Sequence, residues 1–501
     1  MDDGSGPTAT APTGPAGQGV VAGEGAGIDS ERWLGTAMGA RRPRAGLLAL
    51  MLELYDKSNP ELRSEREAFG KELAELVDRF ADVTYSGIRN TRVRVAEAIA
   101  EFEREEVDLV IVVCLTYAPS LIALPALRDV EVPIVLFNTQ ELAQVDGTFG
   151  FDELLRNHGM HGLHDLANVL RRSGVAYEVV TGHYRSMAAQ TELEDWCVAA
   201  KAVRELRKLR IGLLGHAFTG MGDFGVDETT FLAQIGPEVD RIDLGEFAAG
   251  LKEAPENEIA AMVATDRKAY AVDPDLTPDV HEASSRAEWA LRRIVRDHGL
   301  GALAVHYPPV AAASPGGVLP FLGVAKLMAE GLGFGGEGDV TSAALVSLAQ
   351  SLYGQASFTE MFTMDFEGEA VFHAHFAEAN PALARRDQPI RLVLRDGWVG
   401  SGGPSASLAF CQEPGPATLL NLTVSEYGAF QLLAAEVEVL DFVQPAFPMP
   451  HFKMRPQAPL GEFLTDYLQW GGSHHLAIAQ GHGMRRAAQA AAILGVDLVN
   501  L

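Results

Sequence analysis

Cysteine, tryptophan and positive charge are all scarce in this chain. Three cysteines (Cys114, Cys197, Cys411) and five tryptophans occur among 501 residues. The cysteines are too far apart for a disulfide framework or a CxxC metal knuckle, which fits a reducing cytoplasm. No apolar run approaches the ~18–20 residues that a membrane span needs. The longest, VDLVIVVCL (107–115), has strand length. The first residues, MDDGSGPTATAPTG, contain no apolar core of a secretory signal. Forty Lys and Arg stand against 67 Asp and Glu, a formal net charge of −27. So acidic a chain repels phosphate backbones, which argues against a nucleic-acid partner. The acidic residues are spread along the chain, as on a solvated surface.

What is present is a globular composition, 47% hydrophobic, with enough length for several domains. Residues 1–28 are mostly Gly, Ala, Pro, Ser and Thr and are expected to form a disordered leader, because they bury too little to offset ordering entropy. From residue 40 to 200, continuous apolar strands (AGLLALMLEL, DLVIVVCL, PIVLFNT, VAYEVVTGH) alternate with helical segments such as NPELRSEREAFGKELAELVDRF. That alternation predicts a parallel sheet covered on both faces. A second unit of the same kind is expected over 201–355, opening with LRIGLLG and including the helix SSRAEWALRRIVRDHG and the strand ALAVHY. Over 356–501 the pattern changes to alternating segments (EAVFHAHFAE, PIRLVLRDG, ATLLNLTVSE, FQLLAAEVEVLDF) separated by Gly, Pro and Asp. This predicts an antiparallel β-barrel-like domain. The expected fold class is therefore two α/β parallel-sheet domains followed by a C-terminal antiparallel β-barrel-like domain.

Three stretches carry residues suited to chemistry. In LMAEGLGFGGEGDVTSAALVSLAQSL a helix is expected to end at Gly331, with Asp339 or Thr341 capping the next. Glycine-rich loops before helices often cradle phosphate, but Glu337 and Asp339 make a cation the better guest. The alternative is a tight turn with a capping aspartate and a solvent-facing glutamate. In SFTEMFTMDFEGEAVFHAHFAEANP, Glu360 lies between Phe358 and Phe362, and His373 and His375 have strand spacing; each could equally be a satisfied core group. In WGGSHH, His474 and His475 follow two glycines. Two carboxylates and two neutral imidazoles balance one divalent cation. Such an O/N donor set suits Mn²⁺, Co²⁺ or Fe²⁺ and leaves two octahedral positions for adjacent substrate oxygens. The gaps of 23, 15 and 100 residues between Glu337, Glu360, His375 and His475 cannot by themselves assemble the set.

The order of LMAEGLGFGGEGD, SFTE, a His three residues before a Glu, RLVL, MP and GGSHH resembles that of the L-arabinose isomerases in the L-arabinose/L-fucose isomerase superfamily. The resemblance runs from about residue 45 onward and is dense from about 320. It implies a three-domain, cytoplasmic, metal-dependent aldose–ketose isomerase. The substrate would be an L-arabinose- or D-galactose-like monosaccharide, converted through an enediol. Carried over by motif, Glu337, Glu360, His375 and His475 would hold a divalent metal, commonly Mn²⁺, and Glu337 and Glu360 would do the acid–base work. His474, His161 and Gln140 would touch substrate, His161 from a neighbouring subunit of a homotrimer or homohexamer. The chain departs from the family in three places on the substrate side. LELYDKS replaces an early Gln-His loop, FAEANP replaces MLEVCP, and Leu476 follows the His pair. Alternatives are isomerisation of a modified or branched sugar on the same scaffold, or a sugar-binding homologue without catalysis. GMGDFG after LRIGLLG also suggests a nucleotide-binding oxidoreductase, but a single partial glycine match is weak.

Overall fold

A strand whose two faces are both covered by helices must be apolar at every position, and the first strand, RAGLLAL, is nearly so. The computed structural model describes residues 41–396 and 402–501; the leader expected at 1–28 lies outside them. Strands β1 (Arg44–Leu50), β2 (Asp82–Thr84), β3 (Leu109–Cys114), β4 (Ile134–Asn138) and β5 (Glu178–Thr181) form one parallel sheet in the order β2-β1-β3-β4-β5. Successive residues of β1 serve opposite faces, as the period of two requires. Leu47 and Ala49 pack with Phe69, Leu73 and Val77 of the helix Pro60–Asp78. Leu48 and Leu50 pack with Ile99 and Phe102 of Arg92–Arg104 and with Leu166 of Gly159–Arg172. Asn59 and Pro60 start the helix Pro60–Asp78, the Asn side chain accepting from Leu62 N–H.

The central sheet contains β6 (Arg210–Leu214), β7 (Glu238–Ile242), β9 (Ala302–Val305) and β10 (Gly333–Gly336), all parallel, in the order β10-β9-β6-β7. The short β8 (Ala271–Val272) lies elsewhere. Strand β10 is GFGG, within the stretch that reads as a loop. It is a strand because its neighbours supply the hydrogen bonds that its composition does not favour. The helix Val340–Tyr353 that follows is buried along almost its whole length. It packs against β9 and β10 on one side and against the barrel on the other, so it joins the two layers.

The barrel is built from β11 (Ala356–Asp365), β12 (Ala370–Ala374), β15 (Gly415–Val424), β16 (Phe430–Val439), β17 (His451–Pro456) and β18 (His475–Gln480). The six antiparallel strands close in the order β15-β18-β11-β12-β17-β16 and back to β15. Closure removes free edges. Leu419, Leu433, Val437, Met454 and Ile478 pack together with Phe463 of the helix Leu460–Gln469. The strand β19 (Asp497–Asn500) adds in parallel to β16. One of the alternating segments is not a barrel stave. Strand β13 (Arg391–Arg395) pairs with β14 (Ser405–Ala409) on one side and with β8 from the central unit on the other. Alternation predicts that PIRLVLRDG is a strand; which partner it takes is a non-local matter that alternation does not encode.

Candidate metal centre

Three parts of the chain meet where the C-terminal ends of the central strands face the barrel. Glu337 leaves β10 with φ +58, a left-handed conformation that few residues other than glycine adopt. Its surroundings hold it there. Phe218 N–H donates to the Glu337 carbonyl at 2.9 Å. At Gly338, φ +80, a Cβ would lie 2.4 Å from the His216 carbonyl oxygen. One residue further, Asp339 has two tasks. One carboxylate oxygen accepts from Thr341 and Ser342 N–H (2.8 and 3.0 Å), capping the helix Val340–Tyr353. The other lies 2.9 Å from His475 Nδ1.

The barrel register supplies the remaining donors. Glu360 on β11 stands opposite His475 on β18 and opposite Ala374 on β12, one residue before His375. The gaps of 15 and 100 residues are thus closed by two antiparallel pairings. Gly471, with φ +70, makes the turn that returns the chain to β18. His375 Nδ1 is hydrogen-bonded to Glu378, which also accepts from Ala377 N–H at 2.9 Å. An ionised carboxylate only accepts, so both rings carry their proton on Nδ1 and point Nε2 inward. Phe358 meets both rings edge-on, at 4.9 Å for His375 and 4.8 Å for His475, and Phe224 stacks on His475 at 5.1 Å. The ring planes are therefore fixed before any ligand arrives.

The inward atoms fit a shared cation better than they fit one another. His475 Nε2 lies 3.2 Å from Glu360 and 3.7 Å from Glu337, and His375 Nε2 lies 3.5 Å from Glu360. Despite this proximity, Glu337 Oε2, His375 Nε2 and His475 Nε2 are buried and make no aligned hydrogen bond. Atoms that converge without pairing are arranged around a common centre. The donor atoms fall in two overlapping groups, Glu337–His474–His475 and Glu360–His375–His475, each within 4.8 Å. The electrostatics agree. Burial disfavours the His475 imidazolium, but Asp339 and Glu360 outweigh it and push its pKa up to about 10. Burial likewise raises Glu360, and the three neighbouring histidines outweigh it and hold the carboxyl below its ordinary range. Carboxylates this crowded require positive charge between them, as protons on the imidazoles or as a cation.

His474 also faces this centre, with Nε2 at 3.7 Å from Glu337 and 3.8 Å from Glu360. It is 40% exposed, and Asp223 holds it at both Nδ1 (2.5 Å) and the backbone N–H (3.0 Å). That exposure and tether suit a group that meets an incoming ligand. His373 is not part of the centre. It is buried against Phe452, ring to ring at 4.6 Å, and approaches Thr359. Gln140 lies just past β4 and donates to Leu142 O at 2.8 Å, and His161 is exposed in the helix Gly159–Arg172, edge-on to His158 at 4.7 Å. Among the described residues, neither has a hydrogen bond, ion pair or ring contact with the Glu337–His475 centre. Four contributors were not assigned a role from sequence: Glu378, Asp223, Phe224 and Phe358. Glu378 was visible as the Glu three residues after His375. Asp223 and Phe224 belong to GMGDFG, which serves here to tether and stack the His pair.

Residues 54–208, 215–354 and 355–497 match, respectively, the N-terminal, central and C-terminal domains of L-arabinose isomerase. An L-arabinose isomerase from Cellvibrio japonicus is 27% identical over 400 residues, spanning 77% of this chain and 78% of that protein. L-arabinose isomerase 1 of Bacillus licheniformis is 24% identical over 406 residues, spanning 79% and 81%. An A1-type ketoreductase structure overlaps 63% of this chain and 76% of its own at 15% identity, with a TM-score of 0.21 that supports no conclusion.

Proposed function

The chain belongs to the L-arabinose isomerase family and is an aldose–ketose isomerase of a sugar; from that premise we propose that its reaction depends on a divalent metal and passes through an enediol. Metal dependence rests on one observation above all: Glu337 Oε2, His375 Nε2 and His475 Nε2 converge while buried and unpaired. Glu337, Glu360, His375 and His475 would hold the ion, Mn²⁺ by preference and Co²⁺ or Fe²⁺ as substitutes, and it would supply Lewis acidity at the sugar carbonyl.

The protein groups carry the proton traffic. One of the two glutamates removes the proton from C2 of the aldose while the other, in its protonated form, gives a proton to O1, which gives the enediol. The same carboxylate returns its proton to C1, and the other glutamate takes the proton from O2, leaving a ketone at C2. No net oxidation occurs. Glu378 and Asp339 keep the imidazoles in the tautomer that leaves Nε2 free. His474, oriented by Asp223, donates to a sugar oxygen. Gln140 serves as a further substrate contact, and His161, which makes no contact with the centre of its own chain, serves the site of a neighbouring copy in a homotrimer or homohexamer. No helix among the described residues is long and apolar enough to cross a membrane, and a cytoplasmic enzyme acting on an L-arabinose- or D-galactose-like monosaccharide is the reading that fits.

The test is a panel of aldoses that includes L-arabinose, D-galactose and branched sugars, assayed for ketose formation with Mn²⁺ and after exhaustive chelation. Conversion of at least one aldose, lost on chelation and restored by Mn²⁺ or Co²⁺, is expected. Undiminished turnover by metal-free protein would remove the metal from the reaction.

A further inference from the structure

Three adjacent strands of the central sheet end at the same edge, and each delivers a polar side chain there. Strand β10 leads to Glu337, β9 leads to His306, and β6 leads through Gly215 to His216. The backbone stitches the three ends together. His306 N–H donates to Leu214 O at 3.0 Å, Gly338 N–H to Val305 O at 3.1 Å, and Phe218 N–H to Glu337 O at 2.9 Å. The His306 ring sits edge-on to His216 at 4.4 Å and against Phe218 at 5.2 Å. His306 is only 5% exposed, yet its Nδ1 has no hydrogen-bond partner. An unpaired buried nitrogen is costly, and nothing in the four-donor centre uses it. In open parallel sheets the carboxyl ends of the strands are where ligands bind.

We propose that His306, backed by His216, binds a hydroxyl of the sugar beyond C2 and thereby sets which stereoisomer the site accepts. The proposal rests on the isomerase reading above. Burial and the neighbouring His216 ring lower the His306 pKa against the opposing charge of Glu337, which favours the neutral ring. Its unpaired Nδ1 can then either donate an N–H to a hydroxyl oxygen or accept from the hydroxyl proton, depending on the tautomer. His216 is exposed, and its Nδ1 lies 2.9 Å from Ala217 O, which fixes the ring that His306 packs on.

The experiment compares wild type with His306→Phe, His306→Gln and His216→Ala on aldopentoses and aldohexoses that differ at C3, C4 and C5. Bound Mn²⁺ is measured for each protein. His306→Phe is expected to raise KM for the preferred aldose by about tenfold, the scale of one lost hydrogen bond, with kcat changed less. It should also narrow the preference between epimers and leave Mn²⁺ stoichiometry intact. His306→Gln, which keeps a donor and an acceptor, should recover part of the preference. An unchanged KM and epimer ratio in a metal-loaded His306→Phe protein overturns the proposal. So does loss of Mn²⁺ from that variant, which would place His306 in support of the metal. If His306→Phe does not fold, the exposed His216→Ala decides, because it should narrow the same epimer preference and an unaltered preference overturns the idea. If wild type converts no aldose, the isomerase reading has failed on its own. Calorimetric sugar binding by wild type and His306→Gln then decides whether His306 contacts the sugar, with equal affinities refuting it.

Discussion

Lys326 and His475 both sit in buried clusters of carboxylates, and the two clusters are built in opposite ways. Around Lys326 every buried polar atom is paired. Its ammonium donates to Asp266 (2.8 Å) and Glu288 (2.7 Å), and Arg292 donates to Glu288 at 2.8 Å and to both oxygens of Glu330 at 2.7 Å. His281 meets the second oxygen of Asp266 at 3.2 Å. All six carboxylate oxygens are satisfied, so no ligand is needed. Around His475, buried donor atoms point inward at one another and remain unpaired. Buried charge is therefore not the mark of a site; unsatisfied metal-ligating atoms that converge on one point are. The saturated network ties the helices Glu256–Ala269, Pro278–His298 and Phe321–Ala329 together, while the unsaturated one is kept open for chemistry.

The contrast breaks most visibly under substitution. Glu337→Gln and Glu360→Gln should each lower kcat on the order of 10²–10⁴, the scale of general acid–base catalysis, if these carboxylates move protons. Metal-free Glu337→Gln should be destabilised far less than Glu288→Ala, because Glu337 Oε2 makes no aligned hydrogen bond and the substitution loses only ion pairs of 3.7 Å to His474 and His475. A loss that excess Mn²⁺ fully restores would make the residue a ligand only. The saturated cluster should respond in reverse. Glu288→Ala leaves Arg292 and Lys326 short of a buried counter-charge and should cost about 3–5 kcal/mol in denaturant unfolding. In the protein that remains folded, Mn²⁺ affinity should be unaffected.

A smaller effect is expected one step out from the metal. Glu378→Gln and Asp339→Asn should weaken Mn²⁺ binding by about 10–100-fold, the usual range when a partner of a ligating histidine is altered. Asparagine can still cap the helix Val340–Tyr353, so Asp339→Asn tests the His475 contact with little disturbance of the helix.

These residues also show how far the sequence could be read. The apolar runs of β1, β3 and β4 and the alternating barrel segments were legible, because burial on two faces or one leaves a local signature. Strand β10 was not, since GFGG has no strand propensity and depends on β9 for its pairing. Glu337 and the His474–His475 pair stood out through glycine-rich motifs. Glu360 and His375 did so only with their order along the chain, because the β11–β12 and β11–β18 registers that unite them are non-local. Asp339 was legible as a cap, but its bond to a residue 136 positions away was not. Asp223 and Phe224 were hidden in a segment whose glycines suggest a different ligand.

Outside the centre, a graded effect concerns pH. Burial holds the His373 pKa down at about 3, against an ordinary 6.5. Below pH 6.5 the unfolded chain takes up a proton that the folded ring refuses, so its contribution to stability is full above 6.5 and declines as pH falls toward 3. The decline amounts to about 1.4 kcal/mol per pH unit at most. His373→Phe should remove this part of the acid dependence, which unfolding curves at several pH values would reveal as a shallower slope between pH 6.5 and 4.

His373 and His375 lie two residues apart, His373 stacked on Phe452 and outside the converging donor groups and His375 within them, so metal binding by His373→Ala and His375→Ala is the most direct comparison. Equilibrium dialysis against Mn²⁺ should find about one ion per chain in wild type and in His373→Ala, and none held at the same concentration by His375→Ala. Equal Mn²⁺ binding by the two variants would contradict the assignment of the centre to Glu337, Glu360, His375 and His475.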